Sequence, residues 1–261
     1  MSLLTHKLKL LEKIRKNLRN NKLSIGTWQQ IPNSSISEIL GDANYDWVAI
    51  DMEHGSINKN QLPNLFRAIE LGGTLPLVRL AKPSGKLCKD ALDSGAGGVI
   101  VPMITNASQL KKIHNACCWP PNGSRGVGFS RANLFGKYFN DYKKVAQSPF
   151  LVAQIEQVNA LDNLEQILQV NGLDAVIIGP YDLSASMGLT GEINNPKVRE
   201  VINEISILCD KYKVPFGDHI TDLDERIIKK RIKAGYKFIA YGTDGLFLLR
   251  SCSAPAIKEK S

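Results

Sequence analysis

The chain has 261 residues, a hydrophobic fraction of 43% and a formal net charge of +8. The hydrophobic fraction is that of an ordinary globular protein, which excludes a disordered or collagen-like chain. No run reaches the roughly 20 apolar residues that a membrane-spanning helix needs. A positive charge can attract nucleic acid or small anions, but no aromatic or glycine signature of a nucleic-acid-binding module accompanies it. We therefore expect a protein that binds neither nucleic acid nor membrane.

The N-terminal segment predicts an amphipathic helix, because Leu8, Leu11, Ile14 and Leu18 recur at helical spacing. It carries charges throughout and lacks the uninterrupted apolar core of a signal peptide. A basic helix of this kind can lie on a membrane surface. Packing against its own domain explains the same pattern without a partner, and is the interpretation we prefer.

Eight short apolar or β-branched runs follow in chain order, with helical patterns between them. The predicted strands are Leu23–Trp28, Trp47–Glu53, Leu75–Leu80, Gly98–Ile104, Phe150–Glu156, Asp174–Pro180, Val214–His219 and Phe238–Asp244. The runs VAIDME, GGVIVPMI and DAVIIGP are almost continuously apolar, as parallel strands buried on both faces must be. Eight strands alternating with helices predict an α/β protein, a closed (β/α)8 barrel that forms a single domain over residues 1–261.

An open, doubly wound sheet is the alternative architecture. It would call for a glycine-rich phosphate loop after an early strand, and neither GxGxxG nor GxxxxGK[ST] occurs. The long connection between the fourth and fifth strands contains NGSRGVGFSRANLFGKYFNDY. An insertion of this length in a barrel is typical of a functional loop or an interface.

The cysteines indicate a reduced protein. Five occur, an odd number with irregular spacing and no CxxC pair, which argues against a disulfide framework and a zinc ribbon. We expect a cytoplasmic protein. The densest basic run, which contains Lys229, Lys230, Arg231 and Lys233, predicts a solvated helix face.

Polar residues gather at the predicted carboxyl ends of the strands, where an α/β barrel forms its active site. They are Trp28, Asp51, Glu53, His54, Arg79, Gln154, Glu156 and Asp182. Each has a structural explanation when taken alone: Arg79 can pair with Asp51, and Glu156 or Asp182 can cap a helix. Together on one rim they favour an active site.

These side chains suit one type of chemistry. Two carboxylates, Glu156 and Asp182, form an oxygen-ligand pair for Mg²⁺ or Mn²⁺, with positions left for a 2-oxo acid and water. Such a metal stabilises an enolate as a Lewis acid, and Arg79 adds positive charge at the enolate oxygen. His54 is a candidate general base that Asp51 orients. No lysine stands at a strand end, so a metal-assisted route is favoured over an imine.

Three motifs in this order resemble the HpcH/HpaI aldolase family, the class II pyruvate-dependent aldolases. They are D-x-E-H-G at Asp51–Gly55, Q-x-E at Gln154–Glu156 and G-P-x-D-L at Gly179–Leu183. The resemblance spans nearly the whole chain. It implies a barrel of the phosphoenolpyruvate/pyruvate type that reversibly cleaves a 4-hydroxy-2-oxo acid to pyruvate and an aldehyde through a metal-stabilised enolate.

The resemblance also implies roles for individual residues. Glu156 and Asp182 would hold the divalent metal, Mg²⁺, Mn²⁺ or Co²⁺; His54 with Asp51 would be the base, and Arg79 would bind the pyruvyl oxygen. Substrate would be bound by Trp28, Gln154, Tyr181 through its backbone, and Asp93, which in the family reaches a neighbouring subunit's site. The implied assembly is a homo-oligomer, usually a hexamer, whose eighth helix is exchanged between subunits. The short tail after Asp244 leaves the extent of that exchange open.

Two other functions fit less well. A CoA-thioester lyase of the malyl or citramalyl type would need room and basic contacts for the CoA tail, whereas the D-x-E-H-G element points to smaller acids. A non-catalytic sugar-acid-binding barrel would be expected to lose the base or a metal ligand, and all of these residues are present. For the aldolase, we expect polar residues of the long connection to contact the distal end of the aldehyde, namely Asn122, Ser130, Arg131 and Asn133.

Overall fold

A computed structural model describes residues 3–253, and eight parallel strands close into a barrel in sequence order. The strands are β1 (Ser24–Gln29), β2 (Trp47–Asp51), β3 (Leu75–Arg79), β4 (Gly98–Val101), β5 (Phe150–Ile155), β6 (Ala175–Ile178), β7 (Phe216–Ile220) and β8 (Phe238–Thr243). Parallel pairing of β8 with β1 closes the sheet. The predicted (β/α)8 fold is therefore confirmed, and the open sheet is excluded.

Helices surround the barrel and cover one of its ends. They are α1 (Leu3–Arg19), α2 (Ser34–Asp42), α3 (Leu62–Leu71), α4 (Gly85–Ser94), α5 (Ala107–Cys117), α6 (Phe139–Gln147), α7 (Leu164–Leu168), α8 (Pro180–Ser186), α9 (Pro196–Lys211), α10 (Glu225–Lys233) and α11 (Asp244–Ser251). Short 3-10 turns at Arg131–Asn133 and Val158–Asn163 precede α6 and α7.

Several strands end earlier than the sequence predicts. β2 ends at Asp51 rather than Glu53, β4 ends at Val101 rather than Ile104, and β6 ends at Ile178 rather than Pro180. Pro180 has no N–H to donate to a strand and instead opens α8, a position that its fixed φ favours. Of the polar motif residues, Asp51 and Gln154 therefore stay within strands, whereas Glu53 and His54 stand on the loop after β2 and Asp182 stands in the first turn of α8.

The apolar side chains form two layers. One layer packs the outer face of the strands against the helices, and the other fills the interior of the barrel. The interior layer includes Leu11, Ile14 and Leu18 of α1, all buried. Arg15 of α1 donates to the Asp174 carboxylate and to the Pro149 carbonyl, just before β6 and β5. The amphipathic N-terminal helix thus packs on its own domain and covers the amino ends of the strands.

The long connection between β4 and β5 folds toward the same amino end. Arg131 forms an ion pair with Glu70 near the end of α3, and its Nη1 donates to the Ser94 carbonyl at the end of α4, at 3.0 Å. Asn133 is fully buried and bonds its own turn. Helices run opposite to the strands, so their last residues lie far from the carboxyl rim. Arg131 and Asn133 are thus held away from the carboxyl rim of this chain, which argues against the expected contact of Asn122, Ser130, Arg131 and Asn133 with the aldehyde.

Other sequence expectations can be compared directly. All five cysteines are free, as predicted. Lys229, Lys230 and Lys233 are exposed on α10, whereas Arg231 is partly buried and donates to Asp218 at 2.6 Å. Over residues 3–253, no helix has the length and apolar character needed to cross a membrane.

Candidate active site

A cavity of about 250 Å³ opens at the carboxyl ends of the strands. Its lining brings together predicted residues that lie far apart in sequence, since β1, the loop after β2, β3, β5 and α8 each contribute to one rim. Among the residues around it are Trp28, His54, Arg79, Gln154, Tyr181 and Asp182. Asp51 and Glu156 stand behind this lining, fully buried. The cavity is therefore the candidate active site.

Arg79 and Asp51 form a rigid pair on the neighbouring strands β3 and β2. Arg79 Nε donates to Asp51 Oδ1 at 2.9 Å and Nη2 to Oδ2 at 2.6 Å, a two-pronged geometry. Gln30 Nε2 donates to Oδ2 at 2.9 Å. Burial favours a neutral carboxyl, but the hydrogen bonds and charge of Arg79 outweigh it and hold the pKa of Asp51 below its usual value. The guanidinium also lies 4.4 Å from the ring centre of Trp28, so little freedom is left to it.

The loop after β2 is shaped by the same carboxylate. Asp51 Oδ1 accepts the backbone N–H groups of Glu53 at 3.0 Å and His54 at 3.2 Å. The His54 ring itself is 53% exposed, and its Nε2 lies 3.9 Å from a Glu53 oxygen. Asp51 thus holds the backbone that carries His54 and does not orient the imidazole directly. This corrects the expected side-chain pair, because Arg79, Gln30 and two amides already occupy both Asp51 oxygens.

Glu53 is a third carboxylate at the rim. One of its oxygens is buried without a hydrogen-bond partner and lies 3.4 Å from Arg79 Nε. Burial, followed by repulsion from Glu156, raises the pKa of Glu53 to about 8. The sequence placed Glu53 at a strand end without assigning it a role.

Glu156 is held from two sides and is fully buried. The Met103 N–H donates to Oε1 at 2.7 Å, and the Gln154 amide donates to Oε2. Across from it, a Cβ at Gly179 would lie 2.5 Å from Oε2, so only glycine leaves the carboxylate room. Burial raises the pKa of Glu156 to about 7, and repulsion from Asp182 adds to the effect.

Asp182 is a further carboxylate at this rim, beside Glu53 and Glu156. It lies in the first turn of α8 and is half-buried. The carboxylates of Glu156 and Asp182 repel each other, and a divalent cation between them would relieve that repulsion. Over residues 3–253, no cluster of three or more His, Cys, Asp or Glu side chains is arranged to hold a metal. The two-carboxylate set fits a hard cation that takes its other oxygen ligands from water and substrate.

Two predicted binding residues differ in their placement. Tyr181 lines the cavity and is 49% exposed. Asp93 lies near the end of α4, where its carboxylate is 3.9 Å from Arg125 Nη1 and 3.7 Å from Lys89 Nζ. Asp93 does not line this chain's own cavity, so any contact with substrate would have to be in another subunit.

His219, at the end of β7, lines the cavity and was not singled out from the sequence. Its Nε2 is 3.1 Å from the Gly242 carbonyl, and its ring meets the edge of Trp28 at 5.7 Å between centres. Burial, followed by the charge of Arg79, lowers the pKa of His219 to about 4. The signal that could have found it is the one used elsewhere, namely a polar residue at the end of a predicted strand.

Comparison with known proteins finds similar sequences over nearly the full chain. A model of the HpcH/HpaI aldolase/citrate lyase family matches residues 24–251. The chain is 33% identical to a hydroxypyruvate/pyruvate aldolase of Roseobacter denitrificans, over 96% of this chain and 98% of that protein. It is 34% identical to a 2-dehydro-3,6-dideoxy-6-sulfogluconate aldolase of Pseudomonas putida, over 87% and 89%.

A solved structure shares the architecture as well. A HpcH/HpaI aldolase/citrate lyase family protein of Burkholderia cenocepacia superposes with a TM-score of 0.86 at 30% identity, covering 92% of this chain and 96% of that one. The likeness therefore extends over most of both chains.

Proposed function

Because the chain belongs to the HpcH/HpaI aldolase/citrate lyase family, we propose that it is a carbon–carbon lyase that reversibly cleaves a 4-hydroxy-2-oxo acid. The products are an aldehyde and pyruvate, or a close analogue of pyruvate such as hydroxypyruvate. The observation that carries this proposal is the meeting of Arg79, His54 and Asp182 around one cavity, with Glu156 buried behind them. These groups supply a fixed positive charge, an accessible base and a pair of oxygen ligands.

Arg79 is suited to bind the oxygen on which charge develops. When the bond between C3 and C4 breaks, its electrons move into an enolate and negative charge builds on the C2 oxygen. The guanidinium is already fixed by Asp51 and Trp28, so it needs no rearrangement to stabilise that charge. Trp28, Gln154 and Tyr181 line the same cavity, and we assign the Tyr181 backbone to bind the substrate carboxylate.

His54 is the group that we assign to proton transfer. In the cleavage direction it takes the proton from the 4-hydroxyl as the C3–C4 bond breaks and the aldehyde forms. C3 of the enolate then takes up a proton, either from the protonated His54 or from water with which His54 exchanges its proton, to give the 2-oxo acid. The ring lines the cavity, and its 53% exposure lets it exchange protons with solvent.

We assign Glu156 and Asp182 as ligands of a divalent cation, with Mg²⁺, Mn²⁺ and Co²⁺ as the candidates. Carboxylate oxygens suit all three ions and discriminate weakly between them. A cation bound there would supply Lewis-acid polarisation of the 2-oxo group. Gln154 and the Met103 amide hold Glu156 in place for this role.

We further propose a cytoplasmic homo-oligomer, a hexamer by family resemblance, in which Asp93 reaches the site of a neighbouring subunit. Leu248 and Leu249 on α11 support such an assembly, since 52% and 70% of these apolar residues are exposed in the single chain. Residues 254–261, which follow α11, lie outside the described residues.

The test is pyruvate release from a panel of 4-hydroxy-2-oxo acids, coupled to lactate dehydrogenase, with added Mg²⁺ or Mn²⁺ and again with EDTA. We expect release that EDTA abolishes and added metal restores. Release that survives EDTA would overturn the metal site. Silence across the panel, together with cleavage of a malyl- or citramalyl-CoA thioester, would replace the proposed reaction.

A further inference from the structure

We infer that His219 is a specificity-determining residue whose Nδ1 accepts a hydrogen bond from a hydroxyl group of the substrate. This inference rests on the proposed aldolase function and concerns a residue to which that function assigns no role. It predicts that the site prefers a hydroxylated reactant to the matching reactant without the hydroxyl.

The first step is the placement of the ring. His219 lies on β7, in register with Ala240 of β8, and is half-buried on the cavity wall. Its ring meets Trp28, which in turn lies under Arg79. The imidazole therefore shares a wall with the guanidinium that we assign to the 2-oxo group, close enough for one small substrate to contact both.

The second step fixes which nitrogen carries the proton. Nε2 lies 3.1 Å from the Gly242 carbonyl oxygen, which can only accept, so Nε2 is the donor. A second proton on the ring is disfavoured by burial and by the charge of Arg79, in line with a pKa near 4 for His219. Near neutral pH the ring is thus neutral, and Nδ1 presents a lone pair.

The third step concerns what can donate to that lone pair. Within residues 3–253, the only hydrogen bond of the His219 ring is the one between Nε2 and the Gly242 carbonyl, so Nδ1 has no donor. The carboxylate and ketone oxygens of a 2-oxo acid have no hydrogen to donate. A substrate hydroxyl, as both donor and acceptor, is the complementary group.

Such a hydroxyl can come from two places. It can stand on C3 of the donor acid, as in hydroxypyruvate compared with pyruvate, or next to the carbonyl of the aldehyde, as in glycolaldehyde compared with acetaldehyde. The chemistry is the same in both cases, and paired substrates separate them.

The experiment measures kcat/KM in the addition direction for the wild type and three variants, by product chromatography. Donors are compared with acetaldehyde as acceptor, and acceptors with pyruvate as donor. His219→Leu removes the acceptor at similar volume, and His219→Asn retains an acceptor oxygen near the Nδ1 position. His114→Leu makes the same chemical change on α5, outside the cavity.

In one pair, His219→Leu is expected to lower the preference for the hydroxylated member about tenfold, the loss of roughly one hydrogen bond. His219→Asn is expected to restore part of that preference, and His114→Leu to leave it unchanged. Titration calorimetry of pyruvate and hydroxypyruvate gives an independent readout if the donor is the hydroxylated partner. The pair that shifts identifies the hydroxyl.

The reaction of pyruvate with acetaldehyde, neither of which carries the hydroxyl in question, reports the proposed function by itself. Suppose that the wild type carries out this reaction, but His219→Leu keeps the wild-type preference for both the hydroxylated donor and the hydroxylated acceptor. The role of His219 is then overturned, and the aldolase function stands. If the wild type forms no aldol product from any pair, the function fails, and this inference fails with it.

Discussion

Arg79 on β3 binds Asp51 on β2 through two hydrogen bonds, of 2.9 Å and 2.6 Å, so that a buried charge is neutralised where the barrel opens. The same Asp51 carboxylate holds the backbone of the loop that carries His54. One buried aspartate thus positions both the Arg79 guanidinium and the loop that carries His54, the base that we assign to the reaction.

Removal of this aspartate is expected to affect folding as well as activity. Asp51→Ala leaves a buried arginine without its main partner, which should lower the free energy of unfolding by about 3–5 kcal/mol. The measurement is urea unfolding followed by circular dichroism. Glu165→Ala is the control, because its ion pair with Lys211 is exposed and should contribute little. Equal stability of Asp51→Ala and the wild type would contradict the anchoring role.

Replacement of the base should slow turnover without loss of metal. For His54→Ala we expect turnover to fall by about two to four orders of magnitude, the usual contribution of a positioned proton-transfer group. Steady-state kinetics of pyruvate release and calorimetric titration with Mn²⁺ give the two quantities. Nearly normal turnover would show that the proton moves through another group.

The Glu156 carboxylate should be needed to bind the cation. Glu156→Gln keeps the shape but removes the negative charge, so we expect Mn²⁺ affinity and turnover to fall together. Glu165→Gln, on the exposed surface of α7, is the matched control. Unchanged Mn²⁺ affinity in Glu156→Gln would remove this residue from the metal site.

Gly179 should be required because a larger residue would leave too little space for the Glu156 carboxylate. In Gly179→Ala the new methyl group would lie 2.5 Å from Glu156 Oε2 and would displace that carboxylate. We expect weaker Mn²⁺ binding and slower pyruvate release. Gly128→Ala is the control, because nothing lies within 4 Å of a Cβ at that position. A variant at Gly179 that binds Mn²⁺ as the wild type does would show that the carboxylate can move at no cost.

The buried carboxyl groups of Glu53 and Glu156 also predict a pH dependence of stability in the metal-free protein. Burial comes first among the causes that raise the pKa of Glu53 to about 8 and that of Glu156 to about 7, from an ordinary value of 4.5. The folded state therefore retains protons that the unfolded state releases. This contribution to stability is complete below 4.5 and is lost as the pH rises toward 8.

We expect the melting temperature of the metal-free chain to fall between about pH 5 and about pH 8.5. Added Mg²⁺ should reverse the loss at the higher pH, because the cation binds the ionised carboxylates. Glu156→Gln should show a shallower decline. A melting temperature that rises over this interval without metal would contradict the raised pKa values of Glu53 and Glu156.

Some features of this protein were readable from local pattern alone. The apolar runs of β2, β4 and β6 predicted buried parallel strands, because a strand covered on both faces cannot alternate in polarity. The spacing at Leu11, Ile14 and Leu18 predicted a helix with one buried face. Charged residues directly after apolar strands predicted a shared rim, since parallel strands bring their carboxyl ends to one side.

Three other features were decided only by tertiary structure. Asp51 bonds Arg79 and the loop amides rather than the His54 ring, the β4–β5 connection folds to the amino end, and His219 faces Trp28 in the cavity. Local pattern records which residues are polar and where strands end. It does not record which of several possible partners forms a hydrogen bond with a carboxylate, or toward which end of the barrel a long loop folds. Those outcomes depend on competition among groups that are distant in sequence and meet only when the barrel closes.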